Sequence, residues 1–523
     1  MNKNIFIFLC IFLIILLINI PTLNLPSSED SAGYVMFTTM RIYENNLNIF
    51  DGNPHIHLPF FTLLLAFLYK IFGPSLIVGR ILIIFFSALA ILFTYLLAKE
   101  LYNKETGIIA SLLLFFSSLF IAVSGIVIMD MPFTALLLMT FYFLFKKNNW
   151  GFFLSSIFLI LIKETGVLIY PAIVYYLYKT NENNNLFIKK CILYCLPVLI
   201  FVFWSFYNKI YFDWFTSPVI SYFKTDSLSK IFLNFIKILK YNLFNSFNWI
   251  ITSLIILSPL RYIKFKEKTK RIYLFLVISG LFFIIFSMIK LLISPLQIYF
   301  TNVEEHINDI YNFRFFITIL FLFILLSYKE FFKLWNKLET KTILIFILIF
   351  MVFLSFYNAS SYRYFLPLYS LIFIFGSRAI QCLFGNNKIK YFLVIIIIII
   401  SISIWMPEKP YHGDLSANLE YINEIKTNKE ALNYIEINYP NSTILVPDNY
   451  FVRFQLEQSY LGYVTKPLKY ITISDNVSED QFDIFYYFGF MDSSEKQKII
   501  EKYNLKIEKI FKCRGKFTEI YTK

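Results

Sequence analysis

Ser27–Tyr34 reads SSEDSAGY and follows directly on the apolar stretch Ile5–Ile20 and its exit Pro21–Pro26. This stretch decides the fold, because it sets two carboxylates, Glu29 and Asp30, where the chain leaves its first hydrophobic segment. An apolar run of about 20 residues suffices to cross the hydrocarbon as a helix. Such runs recur as far as Trp405, and a second isolated acid, Asp130, stands in the break IMDMP between two of them. The question for function is whether these acids meet on one face of a membrane.

Composition agrees with a polytopic α-helical membrane protein: 58% of residues are hydrophobic and 20% aromatic. In lipid each backbone polar group must be satisfied within its own segment, which favours helices. The net charge of +14 does not argue for nucleic acid. Most of the basic residues sit in short loops beside apolar segments, where they act as orientation signals. Ile5–Ile20 resembles a signal peptide, but no small-residue cleavage site follows, so it reads as an uncleaved anchor. Five scattered cysteines give neither a disulfide framework nor a metal spacing.

Loop charge predicts the topology. With Met1–Asn4 in the cytoplasm, the first outer loop, residues 22–75, carries Glu29, Asp30, Glu44 and Asp51. His57–Phe72 is apolar but short, and taking it as re-entrant or interfacial places every later basic loop inside. Crossings are then expected near Leu76–Ala98, Gly107–Ile128, Met131–Phe145, Gly151–Ile162, Gly166–Tyr178, Ile192–Tyr207 and Trp249–Leu260. Further ones follow near Ile272–Leu292, Phe315–Ser327, Ile343–Phe356, Tyr364–Ala379 and Tyr391–Trp405. That makes about 13 transmembrane helices.

From Pro407 the pattern changes to a soluble α/β domain, 407–523, which the parity of crossings places outside the cytoplasm; residues 1–406 form the membrane domain. Helices are expected at Lys429–Asn438 and Ser494–Tyr503 and strands at Ser442–Val446, Tyr470–Ile473 and Asp483–Tyr487. Ile507–Lys512 and Lys516–Tyr521 read as a hairpin around Arg514–Gly515.

Charged residues at membrane boundaries are candidates for function. Asp30 and Asp130 also read as plain helix caps, since an aspartate side chain satisfies free amides at a helix start. Lys163 and Glu164 are sequence neighbours, so they do not face each other along a helix and each must seek another partner. Arg80 and Arg363 fall at the same predicted depth. Cations grouped near two acids suit a phosphate-bearing lipid head and a hydroxyl-bearing reactant. For each cation alone, snorkelling to lipid headgroups is the plain reading. His55, His57 and His306 with Glu304 or Glu305 lack the tight spacing of a metal site, and a divalent metal stays open as a cofactor.

Several segments together resemble a family. SSEDSAGY, HLPFFTLLLAFLYKIFG, IMDMPFTALLLMTFYFLF, IKETGVLIYP and SSYRYFLPLYSLIFIFG occur in the order seen in integral-membrane glycosyltransferases of the C superfamily. The closest likeness is to the protein O-mannosyltransferase and lipid A aminoarabinose transferase branch, of which dolichyl-phosphate-mannose-protein mannosyltransferases are part. The resemblance implies a polyprenyl-phosphate sugar donor and inverting transfer outside the cytoplasm to a protein, lipid or glycan. It makes Asp30 the catalytic acid of the first loop, four residues before Tyr34, and Asp130 the acid of the second loop. Lys163 matches the lysine of a Thr-Lys-Gly-like turn, and Arg363, beside Tyr364, the late residue facing donor phosphate. Tyr34 and Arg80 join these as donor-binding candidates, with Glu29, His57 and Glu164 as further ones. The family's Asp-Glu order is replaced by Glu29–Asp30–Ser31, its paired prolines shrink to Leu58–Pro59, and KETG stands for Lys-Gly. A transporter of lipid-linked sugar and a non-catalytic partner of the same fold are the alternatives.

Overall fold

The computed structural model describes residues 3–258, 335–357, 361–403, 405, 418–473, 477–488 and 493–523, apart from 30, 51, 53–54, 182, 216, 218–224, 226, 245–247 and 515. The expected crossings Ile272–Leu292 and Phe315–Ser327, His306, Glu304 and Glu305, and Asp30 itself lie outside the described residues.

The centre of the helical part is the 26-residue helix Leu76–Leu101. At 1.5 Å per residue it is about 39 Å long, more than the roughly 30 Å of hydrocarbon in a bilayer. Ser75 starts it, its Oγ accepting from the amide of Ile77 at 3.2 Å. The helix packs on Asp130–Phe145, on Lys104–Phe115 and on the first helix, Lys3–Asn19. Buried small residues along it (Gly79, Ser87, Ala88, Ala90 and Ala98) let the neighbouring helices come close. Tyr362–Phe384 lies deeper still, with 83% of its apolar window buried against 67% for Leu76–Leu101, whereas the first helix buries 17% and keeps most of its surface for lipid.

Among the described residues four helices are long and apolar enough to cross a membrane: Asn4–Thr22, Leu76–Leu101, Leu338–Ser355 and Tyr362–Phe384. Up to six spans result if each of two bent pairs counts as one. Lys104–Phe115 and Ser118–Ser124 meet at 66°, and Asn184–Cys195 and Val198–Phe212 at 50°. The first pair covers the crossing expected near Gly107–Ile128, and the crossing expected near Ile192–Tyr207 begins inside the first helix of the second pair. The breaks have local causes. Ser117 caps the second half of the first pair, accepting from Phe120, and Pro197 interrupts the second. Phe60–Phe72 is a helix of 13 residues, about 20 Å long and short of the hydrocarbon thickness. It buries Phe61, Leu65 and Tyr69 on one side and exposes Phe67, Ile71 and Phe72 on the other.

The last hundred residues contain one five-stranded sheet in the order β2-β1-β3-β5-β4. Its strands are β1 Ile444–Val446, β2 Tyr470–Thr472, β3 Ile484–Phe488, β4 Lys506–Cys513 and β5 Lys516–Thr522. β1 runs parallel to β2 and β3, while β5 pairs antiparallel with β3 and β4. The burial pattern of β3 is continuous, as in a strand covered on both faces. The helix Tyr421–Asn438 packs on β4 and β5, and Ser493–Lys502 precedes β4. The strands and the helix Ser493–Lys502 start and stop close to the expected positions, whereas the helix expected at Lys429–Asn438 begins eight residues earlier, at Tyr421, and the helix Tyr450–Glu457 is an addition.

That helix and the turn after it hold the first loop. The amide of Ser27 donates to the Leu461 carbonyl at 2.9 Å, and the Tyr463 hydroxyl donates to the Ser27 carbonyl at 3.0 Å. Phe454 stacks on Phe37 with centroids 5.4 Å apart. The Tyr450 ring comes so near Gly33 that a Cβ there would lie 2.6 Å from a ring carbon. The glycine of SSEDSAGY therefore makes room for the C-terminal part of the chain.

Candidate active site

KETG is a corner. The helix Asn149–Ile162 ends at Lys163, whose backbone is extended (φ −155°, ψ 128°), and Glu164–Ile169 continues as a 3₁₀ turn. Pro171 then opens the helix Tyr170–Thr180. Gly166 lies against the end of the preceding helix, and a Cβ on it would sit 2.9 Å from the Leu159 carbonyl oxygen. Extended backbone at Lys163 sends two consecutive side chains in different directions. Each finds the separate partner that neighbours in sequence must seek.

Lys163 Nζ donates to Asp130 Oδ1 at 2.9 Å, and Arg363 Nε stands 3.4 Å from Asp130 Oδ2. Asp130 opens the helix Asp130–Phe145, and both its oxygens face cations. Arg363 belongs to the 3₁₀ turn Tyr362–Phe365 that leads into Leu366–Phe384. Tyr364 completes the group. Lys163 Nζ is 4.7 Å and Arg363 Cζ 5.0 Å from its ring centre, and Arg363 Nη2 donates to its hydroxyl at 3.2 Å. The side chains of Asp130, Lys163 and Arg363 are 9%, 13% and 12% exposed, so water screens them little. Two cations thus converge on one carboxylate in a poorly screened place, where electrostatic interactions are strong.

Glu164 Oε1 lies 2.7 Å from His57 Nδ1. The His57 backbone is itself held by Tyr34, whose hydroxyl accepts from the His57 amide at 3.1 Å and donates to its carbonyl at 3.3 Å. Tyr34, the last residue of SSEDSAGY, thus joins the first loop to the segment before Pro59, and Glu164 joins that segment to the KETG corner. His55 is placed differently, with Nε2 3.0 Å from the Ile49 carbonyl and Arg41 beside the ring. Among the described residues no three His, Cys, Asp or Glu side chains are grouped to hold a metal ion.

Arg80 stands apart from the cations around Asp130. Its Nε donates to Gly125 O at 3.2 Å, Nη1 to Leu23 O at 2.7 Å and Nη2 to Pro26 O at 3.0 Å. Its guanidinium satisfies backbone carbonyls of the loop entrance, a structural use that its position in the sequence does not disclose. Glu29 faces the C-terminal part and hydrogen-bonds Tyr450, whose hydroxyl is pushed up to about 12 by burial and by the nearby Glu29 carboxylate. Deeper on the same side, Lys516 Nζ lies 3.3 Å from Glu420 and 3.8 Å from Glu424. Burial pushes the Glu424 carboxyl up to about 7; Lys516 opposes the rise, while Glu29 and Glu420 add to it.

The geometry can be set beside known proteins. Residues 54–207 match the sequence profile of the dolichyl-phosphate-mannose-protein mannosyltransferase family, and this segment includes His57, Asp130, Lys163 and Glu164. The crystal structure of ArnT from Cupriavidus metallidurans bound to undecaprenyl phosphate superposes with a TM-score of 0.51 at 10% identity, covering 99% of this chain and 97% of that one. The chain resembles the C-superfamily membrane glycosyltransferases. The same ArnT in the apo state gives a TM-score of 0.45 at 9% identity over 98% of this chain and 97% of that one. Archaeal oligosaccharyltransferase AglB from Archaeoglobus fulgidus, in complex with an inhibitory peptide and a dolichol-phosphate, gives 0.44 at 16% identity over 96% and 69%. No curated protein matches in sequence. At such identities the C-superfamily likeness concerns the fold.

Proposed function

We propose that the protein is a glycosyltransferase that moves a sugar from a polyprenyl-phosphate donor to an acceptor on the outer face of the membrane, with inversion at the sugar carbon. The observation that carries this reading is the placement of Lys163 and Arg363 on one Asp130 carboxylate beside Tyr364. As the bond from sugar to phosphate breaks, the leaving lipid phosphate gains negative charge. Fixed cations that need no rearrangement stabilise that charge most effectively. Asp130 holds the pair at a set spacing. Arg presents a planar fork and Lys a point charge, a combination suited to phosphate.

Asp30 is the proposed general base, accepting the proton of an acceptor hydroxyl that is otherwise a poor nucleophile. Its neighbours support the assignment. Tyr34 ties the end of the segment to His57, and Leu461 and Tyr463 hold its beginning at Ser27. In this reading the chain crosses the membrane about 13 times. Its N-terminus is cytoplasmic, and residues 407–523 lie outside as a domain that helps select the acceptor.

The deciding experiment is transfer from a radiolabelled polyprenyl-phosphate sugar by purified wild type and by Asp30→Asn. Asparagine keeps the size and the capping ability of aspartate but cannot take a proton. A folded variant that binds donor yet transfers ~100- to 10,000-fold more slowly is expected. Activity within about twofold of wild type would remove Asp30 from the mechanism, since Asn caps a helix about as well as Asp.

A further inference from the structure

Tyr450 is the first residue of the helix Tyr450–Glu457, which the side chain of Asn449 caps by accepting from the Phe451 amide at 2.7 Å. The Tyr450 ring meets that of Phe454 edge to face at 6.1 Å, and Phe454 in turn stacks on Phe37 of the first loop. The outer end of the Tyr450 ring lies over Gly33, and its hydroxyl hydrogen-bonds Glu29. Glu29 and Gly33 stand on either side of Asp30 in the sequence. One side chain from the C-terminal part thus touches both flanks of the segment that carries the proposed base.

Gly33 shows how closely the two parts are matched. It lies in the helical turn Ser31–Met36, with no positive φ that would call for glycine. Glycine weakens a helical segment relative to alanine. The three atoms nearest a Cβ at this position all belong to Tyr450, at 2.6, 3.4 and 3.5 Å, so the ring is what requires the glycine. Stability alone is a poor reason for such a fit, because Tyr450 is 53% exposed and ends a helix. The charge of Arg363 also acts on the Tyr450 hydroxyl. Tyr450 therefore stands where the first loop approaches the Asp130 group.

We propose that Tyr450 is a positioning residue for transfer, acting through Glu29 and Gly33 to hold the first loop in its reactive placement. The inference rests on the reading of Asp30 as the base and adds the residue that sets its segment. It gives the C-terminal part a share in the chemical step itself, since a misplacement of about 1 Å costs on the order of 100-fold in rate.

The test measures kcat and donor KM of the full chain in lipid nanodiscs. The probes are radiolabelled polyprenyl phosphate bearing mannose, glucose, galactose or a pentose, with an extract of the producing cells as acceptor. Tyr450→Phe loses the hydroxyl alone, and kcat should fall about 3- to 10-fold, the loss of one hydrogen bond. Tyr450→Ala loses the ring as well and Gly33→Ala displaces it, so each should lower kcat by up to about 100-fold. Donor KM should stay within about twofold of wild type, and Tyr450→Phe should melt as wild type does. Gly33→Ala should cost nothing further in the Tyr450→Ala background, where the obstructing ring is gone. Tyr450→Phe should have no effect in the Asp30→Asn background, where there is no base to place. Equal slowing by Tyr450→Phe in both backgrounds would make Tyr450 structural and overturn the positioning role alone. So would an unchanged kcat of Tyr450→Phe and Tyr450→Ala where Asp30→Asn is slow. Asp30→Asn as fast as wild type would overturn the base reading and this role with it, and so would wild type that transfers from none of the probes.

Discussion

Lys163 reaches Asp130 across 2.9 Å at a point where both side chains are nearly closed off from solvent. The contact joins the end of the helix Asn149–Ile162 to the start of Asp130–Phe145, and Arg363 brings a third segment to the same carboxylate. Removing one partner of a buried ion pair leaves the others uncompensated, at a cost of about 3–5 kcal/mol. Asp130→Ala is therefore expected to unfold at lower denaturant or temperature by that amount. Adding Lys163→Met should recover part of the loss, because one stranded charge is gone. Purely additive losses in this double-mutant cycle would mean that the pair is not coupled.

Arg363 bears on donor binding. Its replacement by Ala removes the cation and its replacement by Lys keeps it. Charge-assisted contacts are worth about 1.5–3 kcal/mol, so Arg363→Ala should weaken binding of polyprenyl phosphate by roughly 10- to 100-fold, and Arg363→Lys by less. Equal affinity of wild type and the Ala variant, measured by titration in nanodiscs, would leave Arg363 as a structural partner of Asp130.

Glu424 supplies a dependence on pH. Its folded carboxyl titrates near 7 against an ordinary value of 4.5, so the folded protein holds this proton more tightly than the unfolded chain does. The contribution is fully present below about 4.5 and is lost as pH rises through about 7, up to about 3 kcal/mol in all. Glu424→Gln has no such proton to lose. Relative to wild type it should gain thermal stability from pH 5 to about pH 7 and level off above that, and a gap that stays constant between pH 5 and pH 8 would refute the assignment.

The proposed topology is open to labelling. In a cysteine-free background, single cysteines at the exposed positions Asn46 and Lys466 should react with an impermeant thiol reagent on intact cells. One at the exposed Lys147 should react only after the membrane is opened. Reaction at Lys147 alone would invert the arrangement.

Charge in an apolar chain is what made the Asp130 group legible. Asp130, Lys163 and Arg363 each interrupt a hydrophobic run, and an isolated charge there needs a partner. The hairpin of β4 and β5 was legible from alternation and from Arg514–Gly515 at its turn. Arg80 was not, because an arginine bound to carbonyls and one bound to phosphate look alike in sequence. The grip of Tyr450 and Tyr463 on the first loop is a contact between distant parts of the chain, which no local pattern encodes. The bent pairs hide for a related reason: Ser117 and Pro197 each break a run that composition alone reads as continuous.

The hydrogen bond from Tyr463 to Ser27 spans 436 residues of chain. Ser27 leaves the ribosome 436 residues ahead of Tyr463. At about 5–20 residues per second, the loop carrying Asp30 waits roughly 20 to 90 s for the segment that fastens it. A chain halted between Trp405 and Tyr450 would thus possess every membrane helix described above and the whole Asp130 group, yet hold its first loop unsecured. Synthesis of the segment through Tyr463 itself becomes the step that fastens the first loop.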